Sequence, residues 1–105
     1  MNLEERIYNG DRAREVLENE AFVGAFAAIE KECTDKWKAT SALNAADREK
    51  LWLMLQMLYK LQEVMQGMLS DGKMAMEELE YQRKQQQRNS QSMMERARGW
   101  LSSVA

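Results

Sequence analysis

The chain has 105 residues, with 15 lysines and arginines against 17 aspartates and glutamates, and therefore a formal net charge of −2. It contains no proline, no histidine and one cysteine, while residues that favour helices are abundant. This composition excludes a catalytic triad with a histidine base, and it excludes zinc or di-iron sites that need several histidine or cysteine ligands. We therefore expect a single all-α domain without enzymatic activity, without a metal and without another cofactor.

The chain contains no signal for a membrane. No apolar run reaches 18 residues, and the first residues lack the basic and apolar regions of a signal peptide. The sequence thus predicts a soluble protein with no membrane partner. Cys33 lies on an apolar helical face, where we expect a small buried side chain rather than a reactive thiol.

The N-terminal half predicts an arm followed by a long helix. Residues 1–10 end in Asn9-Gly10, a pair typical of turns, and form the predicted arm, which is either a short helical lead-in or partly ordered. Asp11 is a suitable N-cap for a first helix over about 11–38, which either runs through Asn19 or is capped there again. Its apolar residues follow at steps of three and four and predict one packing face, made of Phe22, Phe26, Ile29, Cys33 and Trp37. Trp37 is expected in the core, with anchoring of a partner as the alternative.

The stretch from Leu51 to Leu69 is the most apolar part of the chain. Intervals of three and four residues predict a seam that packs lengthwise on other helices, made of Leu51, Met54, Leu58, Leu61, Met65 and Met68. Further apolar residues lie outside this seam, namely Leu55, Met57, Val64 and Leu69. One neighbouring helix cannot cover all of them. The pattern therefore predicts a bundle core with apolar surface left for a second copy or another protein.

The central helix is expected to begin near Ala45 and to reach about residue 70. Ser41 and Asn44 are cap-type residues in front of it. It would form an antiparallel hairpin with the first helix. Gly72 is expected to end it, so that a third helix covers about 73–88; alternatively the helix continues through Gly72 at a cost of about 1 kcal/mol relative to alanine.

Residues 11–81 would thus form the bundle and oligomerisation core. The following segment, 82–91, is rich in glutamine and arginine and cannot bury a face, so it is either a linker or a solvated helical extension.

The last segment, residues 92–105, predicts a short amphipathic docking helix. Ser92 and Glu95 have the spacing of a capping box. The predicted docking residues are Met93, Ala97, Trp100, Leu101 and Val104, with Arg96 and Arg98 on the polar side. Residues 82–105 carry five basic side chains against one glutamate, a net charge of +4, which leaves −6 for residues 1–81 of the overall −2. The segment would dock either on an acidic bundle, its own or a neighbouring copy's, or on another protein.

The chain resembles a family of small helical proteins encoded in tailed bacteriophage genomes, many of which have no assigned function. The resemblance covers about residues 9–80 and leaves out the tail. The residues that carry it are Asn9, Gly10, Ala13, Leu17, Phe22, Phe26, Trp37, Asp47, Arg48, Glu49, Leu51, Trp52, Gly72 and Lys73. It implies a phage protein among assembly, packaging or host-takeover factors, in the host cytoplasm or associated with the virion.

Together these features predict a homo-oligomer that acts by binding a phage structural protein or a host protein, as an accessory factor of virion assembly or DNA packaging. The alternative is an inhibitor of a host enzyme or defence protein. A DNA-binding small terminase subunit comes third, because the body is acidic and no helix pair with a short loop offers a basic recognition helix.

Overall fold

The computed structural model describes residues 1–104, with Val104 described for its backbone alone, and this range folds into three α-helices without a strand. Helix α1 spans Leu3–Glu18, α2 spans Glu20–Ala39 and α3 spans Ala45–Val104. Helix α1 runs antiparallel to α3, because Leu3 lies beside Leu79 whereas Gly10 meets Gly72. Helix α2 also runs antiparallel to α3, because Phe26 lies beside Tyr59 whereas Trp37 meets Arg48. The predicted all-α helical hairpin is confirmed.

Helix α1 begins earlier than the sequence predicts. Asn2 is its N-cap, with a side-chain oxygen that accepts a hydrogen bond from the backbone N–H of Glu5 at 2.8 Å. The predicted turn at Asn9-Gly10 and the predicted cap at Asp11 are wrong, since both lie inside α1. Gly10 meets Gly72 instead: a Cβ built on Gly10 would lie 2.8 Å from the Cα atom of Gly72. Glycine therefore allows two helices to approach here rather than turning the chain.

Asn19 separates α1 from α2, in agreement with one of the two predicted alternatives. Its backbone is extended, with φ −70° and ψ 124°, and its side chain accepts a hydrogen bond from the backbone N–H of Phe22 at 3.1 Å. An N-cap residue has this geometry, because its side chain satisfies an N–H group that has no partner within the helix.

The connection from α2 to α3 is held by Arg48. Its guanidinium donates hydrogen bonds to the backbone carbonyls of Trp37 and Thr40 at 3.3 and 2.9 Å, and lies 3.9 Å from the centre of the Trp37 ring. The side chain of Asn44 accepts from the backbone N–H of Asp47 at 3.4 Å at the start of α3. The predicted beginning of this helix near Ala45 is confirmed.

Helix α3 is continuous over 60 residues, so the predicted end at Gly72 is wrong. No glycine in the described chain has a positive φ, the conformation that a glycine ending a helix usually adopts. Gly72 is buried under α1, where a larger residue would push the helices apart. The polar segment 82–91 is a helical extension, and the amphipathic segment predicted over 92–105 is the end of α3 up to Val104 rather than a separate helix; Ala105 lies outside the described residues.

The molecule is a thin rod of 94 × 25 × 17 Å. Its radius of gyration is 25.8 Å, whereas a compact domain of this length would have about 13 Å. Leu3, the first residue of α1, lies beside Leu79 and Gln82, so α3 extends beyond the start of α1 by its last 22 residues or so, about 33 Å. The described apolar side chains that are fully buried are few and small: Ala13, Cys33 and Ala75. One layer of helices thus leaves most large apolar residues accessible.

Candidate interaction surfaces

The predicted seam of the central helix divides between two sides of α3. Leu51, Leu58 and Met65 are half-buried against α1 and α2. Met54, Leu61 and Met68 are more accessible, with exposed fractions of 54%, 48% and 37%. The single chain therefore uses half of the predicted seam internally, and the assignment of the other half to an oligomer stays a prediction.

The side of α3 that α1 and α2 cover is completed by residues placed outside the predicted seam. Leu55 and Leu69 are half-buried there, and Gly72 is fully buried. With Leu51, Leu58 and Met65 these residues repeat at intervals of three, four and seven, as expected for helices that pack lengthwise. Two such patterns overlap in this stretch, and their spacing alone does not decide which one faces inward.

A second apolar stripe runs along the uncovered side of α3. We call it the flank stripe; it consists of Met54, Met57, Leu61, Val64 and Met68, which are 37–72% exposed. Its spacing of three, four, three and four residues is again that of a packing face. The individual residues were noted as apolar in the sequence, but their order as a complete second stripe was missed. The stripe contains no charged residue, which is unusual for a solvated helix face.

Helix α2 contributes to the same side of the hairpin. A groove between the end of α2 and the start of α3 is lined by Lys36, Ala39, Thr40, Asp47, Lys50 and Leu51. Ile29 lies two turns before Lys36, and Met54 lies one turn after Lys50, so both continue this side of the molecule. Ile29 is 43% exposed. Of the predicted α2 face, Phe22, Phe26 and Trp37 are half-buried and Cys33 is buried, as predicted for the cysteine.

The opposite side of the hairpin is more polar. The Phe26 ring lies 6.5 Å from the ring of Tyr59. The interaction with the Glu30 carboxylate, together with partial desolvation, raises the pKa of the Tyr59 hydroxyl above its ordinary value. Trp52 on this side is 51% exposed. Tyr59 on this side thus has a carboxylate as a neighbour.

The predicted docking residues of the C-terminal segment are all accessible as far as the structure describes their side chains. Met93, Trp100 and Leu101 are 69%, 65% and 58% exposed, and Ala97, Arg96 and Arg98 are exposed as well. The side chain of Val104 lies outside the described atoms. We call Met93, Ala97, Trp100 and Val104 the tail stripe. Every described side chain from residue 86 to residue 103 is exposed, so no described part of the same chain covers Met93, Ala97 or Trp100.

Some of the ionisable side chains of the described residues form ion pairs. Arg6 binds Asp71 through two hydrogen bonds of 2.7 and 3.0 Å, and the hydrogen bond from Arg6 lowers the pKa of the Asp71 carboxyl. The pairs Lys31–Asp35 and Lys36–Glu32 lie within α2 and lower the pKa values of their carboxyls in the same way. No cluster of acidic, cysteine or histidine side chains suited to a metal occurs in the described part of the chain.

None of the three described helices is long and apolar enough to cross a membrane. These surfaces thus offer two apolar stripes for contact with another molecule, one on an acidic body and one on a basic tail. No protein-family model, curated protein or solved structure matches the chain. The binding role therefore has to be argued from these surfaces.

Proposed function

We propose that this protein acts by binding, that it assembles with copies of itself, and that it serves a tailed bacteriophage as an accessory factor of virion assembly or DNA packaging. The flank stripe is the observation that carries the binding role. It presents five large apolar side chains in a row, without a charge among them, on a rod only 17 Å thick. Exposed apolar surface arranged in this way marks an interaction site.

Self-association is supported by the thinness of the fold. A single layer of two antiparallel helical segments buries few large side chains, and small domains with a small core are marginally stable. A second copy would add a further helical layer to the one-layer hairpin, so that the flank stripe becomes core. The phage assignment is supported by the residue pattern over about 9–80 that resembles small phage proteins.

The solution mass tests the self-association directly. We expect multi-angle light scattering of the full-length protein to give the mass of two or more chains at micromolar concentration. A mass of one chain, about 12.3 kDa, would contradict the proposal.

The assembly role is tested in the phage whose genome encodes the chain. Deletion of the coding sequence should reduce the number of DNA-filled particles seen by electron microscopy of lysates, with rescue by the gene supplied in trans. Normal numbers of filled particles after deletion would contradict a role in assembly or packaging.

A further inference from the structure

The C-terminal segment of α3 cannot fold back on its own body. Because α3 is continuous through Gly72 and through the polar segment, Trp100 lies 39 residues from Leu61, or about 58 Å along the helix axis. No break in α3 allows these two residues of one chain to meet. Whatever covers the tail stripe must therefore come from another molecule.

The charges indicate which molecule fits. The segment 82–105 carries a net charge of +4, whereas residues 1–81 carry −6. Two tails packed on each other, or two bodies packed on each other, would bring like charges together. A tail packed on the body of a second copy brings opposite charges together, which favours this pairing over the other two.

The two stripes also match in spacing and direction. Met57, Leu61, Val64 and Met68 follow at steps of four, three and four, and the tail stripe, Met93, Ala97, Trp100 and Val104, repeats these steps 36 residues later. Thirty-six residues are ten turns at about 3.6 residues per turn, so both stripes lie on the same side of a straight helix. One side of α3 therefore offers two apolar faces of equal length, one on the acidic body and one on the basic tail.

From these observations we propose that the tail stripe of one copy docks on the flank stripe of a second copy, and that the second copy returns the contact. An antiparallel pair related by a two-fold axis satisfies both tails and both flank stripes with one interface and closes the assembly as a dimer. The inference rests on the proposed self-association and names the surfaces that perform it. The occupant of the flank stripe is thus a specific segment of the same protein.

Two variants of the full-length chain separate the two halves of this contact. Leu61→Glu places a charge in the flank stripe, and Trp100→Glu places one in the tail stripe. Leu61 is 48% and Trp100 65% exposed, so the single chain should keep its helical circular dichroism. Each variant alone should have the mass of one chain at a concentration where the unsubstituted protein is a dimer. If Leu61→Glu loses helical signal, Met57→Glu, at a position 72% exposed, replaces it.

The decisive result comes from mixing the two variants. In the mixture the intact tail of the Leu61→Glu chain can dock on the intact flank stripe of the Trp100→Glu chain, so heterodimers should form although neither variant dimerises alone. The first control is Trp52→Glu, because Trp52 lies nine residues or two and a half turns from Leu61 and therefore on the opposite side of α3. The second control is Met94→Glu, which lies beside the tail stripe. Both controls should remain dimeric.

The outcomes distinguish the inference from the function on which it rests. A Trp100→Glu protein that stays dimeric, or a mixture that stays monomeric, would overturn the docking of tail on body and leave self-association intact through another surface. An unsubstituted protein that is monomeric would overturn both. A dissociation constant of the dimer that rises tenfold or more between about 50 and about 500 mM salt would support the contribution of opposite charges, because salt screens their attraction.

Discussion

Two glycines, Gly10 and Gly72, have a structural role that depends on a contact between residues far apart in the sequence. Asn9-Gly10 and Asp71-Gly72 both have the composition of turns, yet both lie within helices. Gly10 and Gly72 meet where α1 crosses α3, and neither leaves room for a Cβ of the other. Local sequence predicts a turn because nothing nearby indicates that two backbones will touch.

Replacement of Gly72 by alanine should therefore destabilise the protein. A Cβ at this position would lie 2.8 Å from the Cα atom of Gly10, which is backbone and cannot move aside without separating the helices. Gly67→Ala is the matched control, since nothing lies within 4 Å of its Cβ and alanine favours the helix by about 1 kcal/mol. Urea unfolding should show Gly67→Ala more stable than the unsubstituted protein and Gly72→Ala less stable. A gain in stability for both would contradict the close helix contact.

The ion pair between Arg6 and Asp71 should make stability depend on pH in the acid range. The hydrogen bond from Arg6 lowers the pKa of Asp71 in the folded protein, so the pair stabilises the fold above the unfolded pKa of about 3.9 and this contribution is lost as the pH falls through the folded value. Asp71→Asn should be slightly less stable at neutral pH, and the difference in unfolding free energy should shrink below about pH 4. The effect is small because the Asp71 side chain is 48% exposed. Arg6→Gln should give the same pH profile.

At the scale of elements, composition and periodicity predicted helices, their antiparallel arrangement and the start of α3. They did not predict which side of α3 faces inward, because Leu51, Leu58 and Met65 belong both to the predicted seam and to the side that α1 and α2 cover. The inward side is set by the burial of Gly72 and Ala75 and by the position of α1, which are properties of the tertiary structure. The candidate surfaces were thus half predictable: the tail stripe was read from its spacing, while the flank stripe emerged only after the inner side of α3 was known.

The boundary between α1 and α2 should depend on the side chain of Asn19. Asn19→Ala removes the acceptor for the backbone N–H of Phe22 and should lower the free energy of unfolding by about 1 kcal/mol. Asn19→Asp keeps an acceptor at the same place and should retain most of the stability. Thermal unfolding followed by circular dichroism measures both. Equal stability of the alanine and aspartate variants would show that the cap is not needed.

At the scale of the whole molecule, the chain has a body of two antiparallel helical segments side by side and a tail of one helix. An isolated helix of about 22 residues is marginally stable in water, so the tail of a single chain should open more often than the body. The tail should therefore be more accessible to a protease in the single chain than in the dimer proposed above.

Limited trypsin digestion should report this difference. After dilution to the monomer, cleavage following Arg96 and Arg98 should precede cleavage following Lys36 and Lys38 in the body, as measured by mass spectrometry. At concentrations where dimers form, cleavage in the tail should slow, while the Trp100→Glu variant should remain sensitive at both concentrations. Tail cleavage at one rate under all these conditions would contradict protection by a second copy.

The order of the helices along the chain has a consequence for synthesis on the ribosome. The first two helices lie end to end and each finds its packing surface on α3, which is translated after them. Synthesis proceeds from the N-terminus, so the first 44 residues emerge before any of the surface that stabilises them. The body can close only once residues as far as Leu79 have been made, and the tail is completed after that. The surface on which the hairpin closes is therefore complete before synthesis reaches the segment that we expect to join two chains.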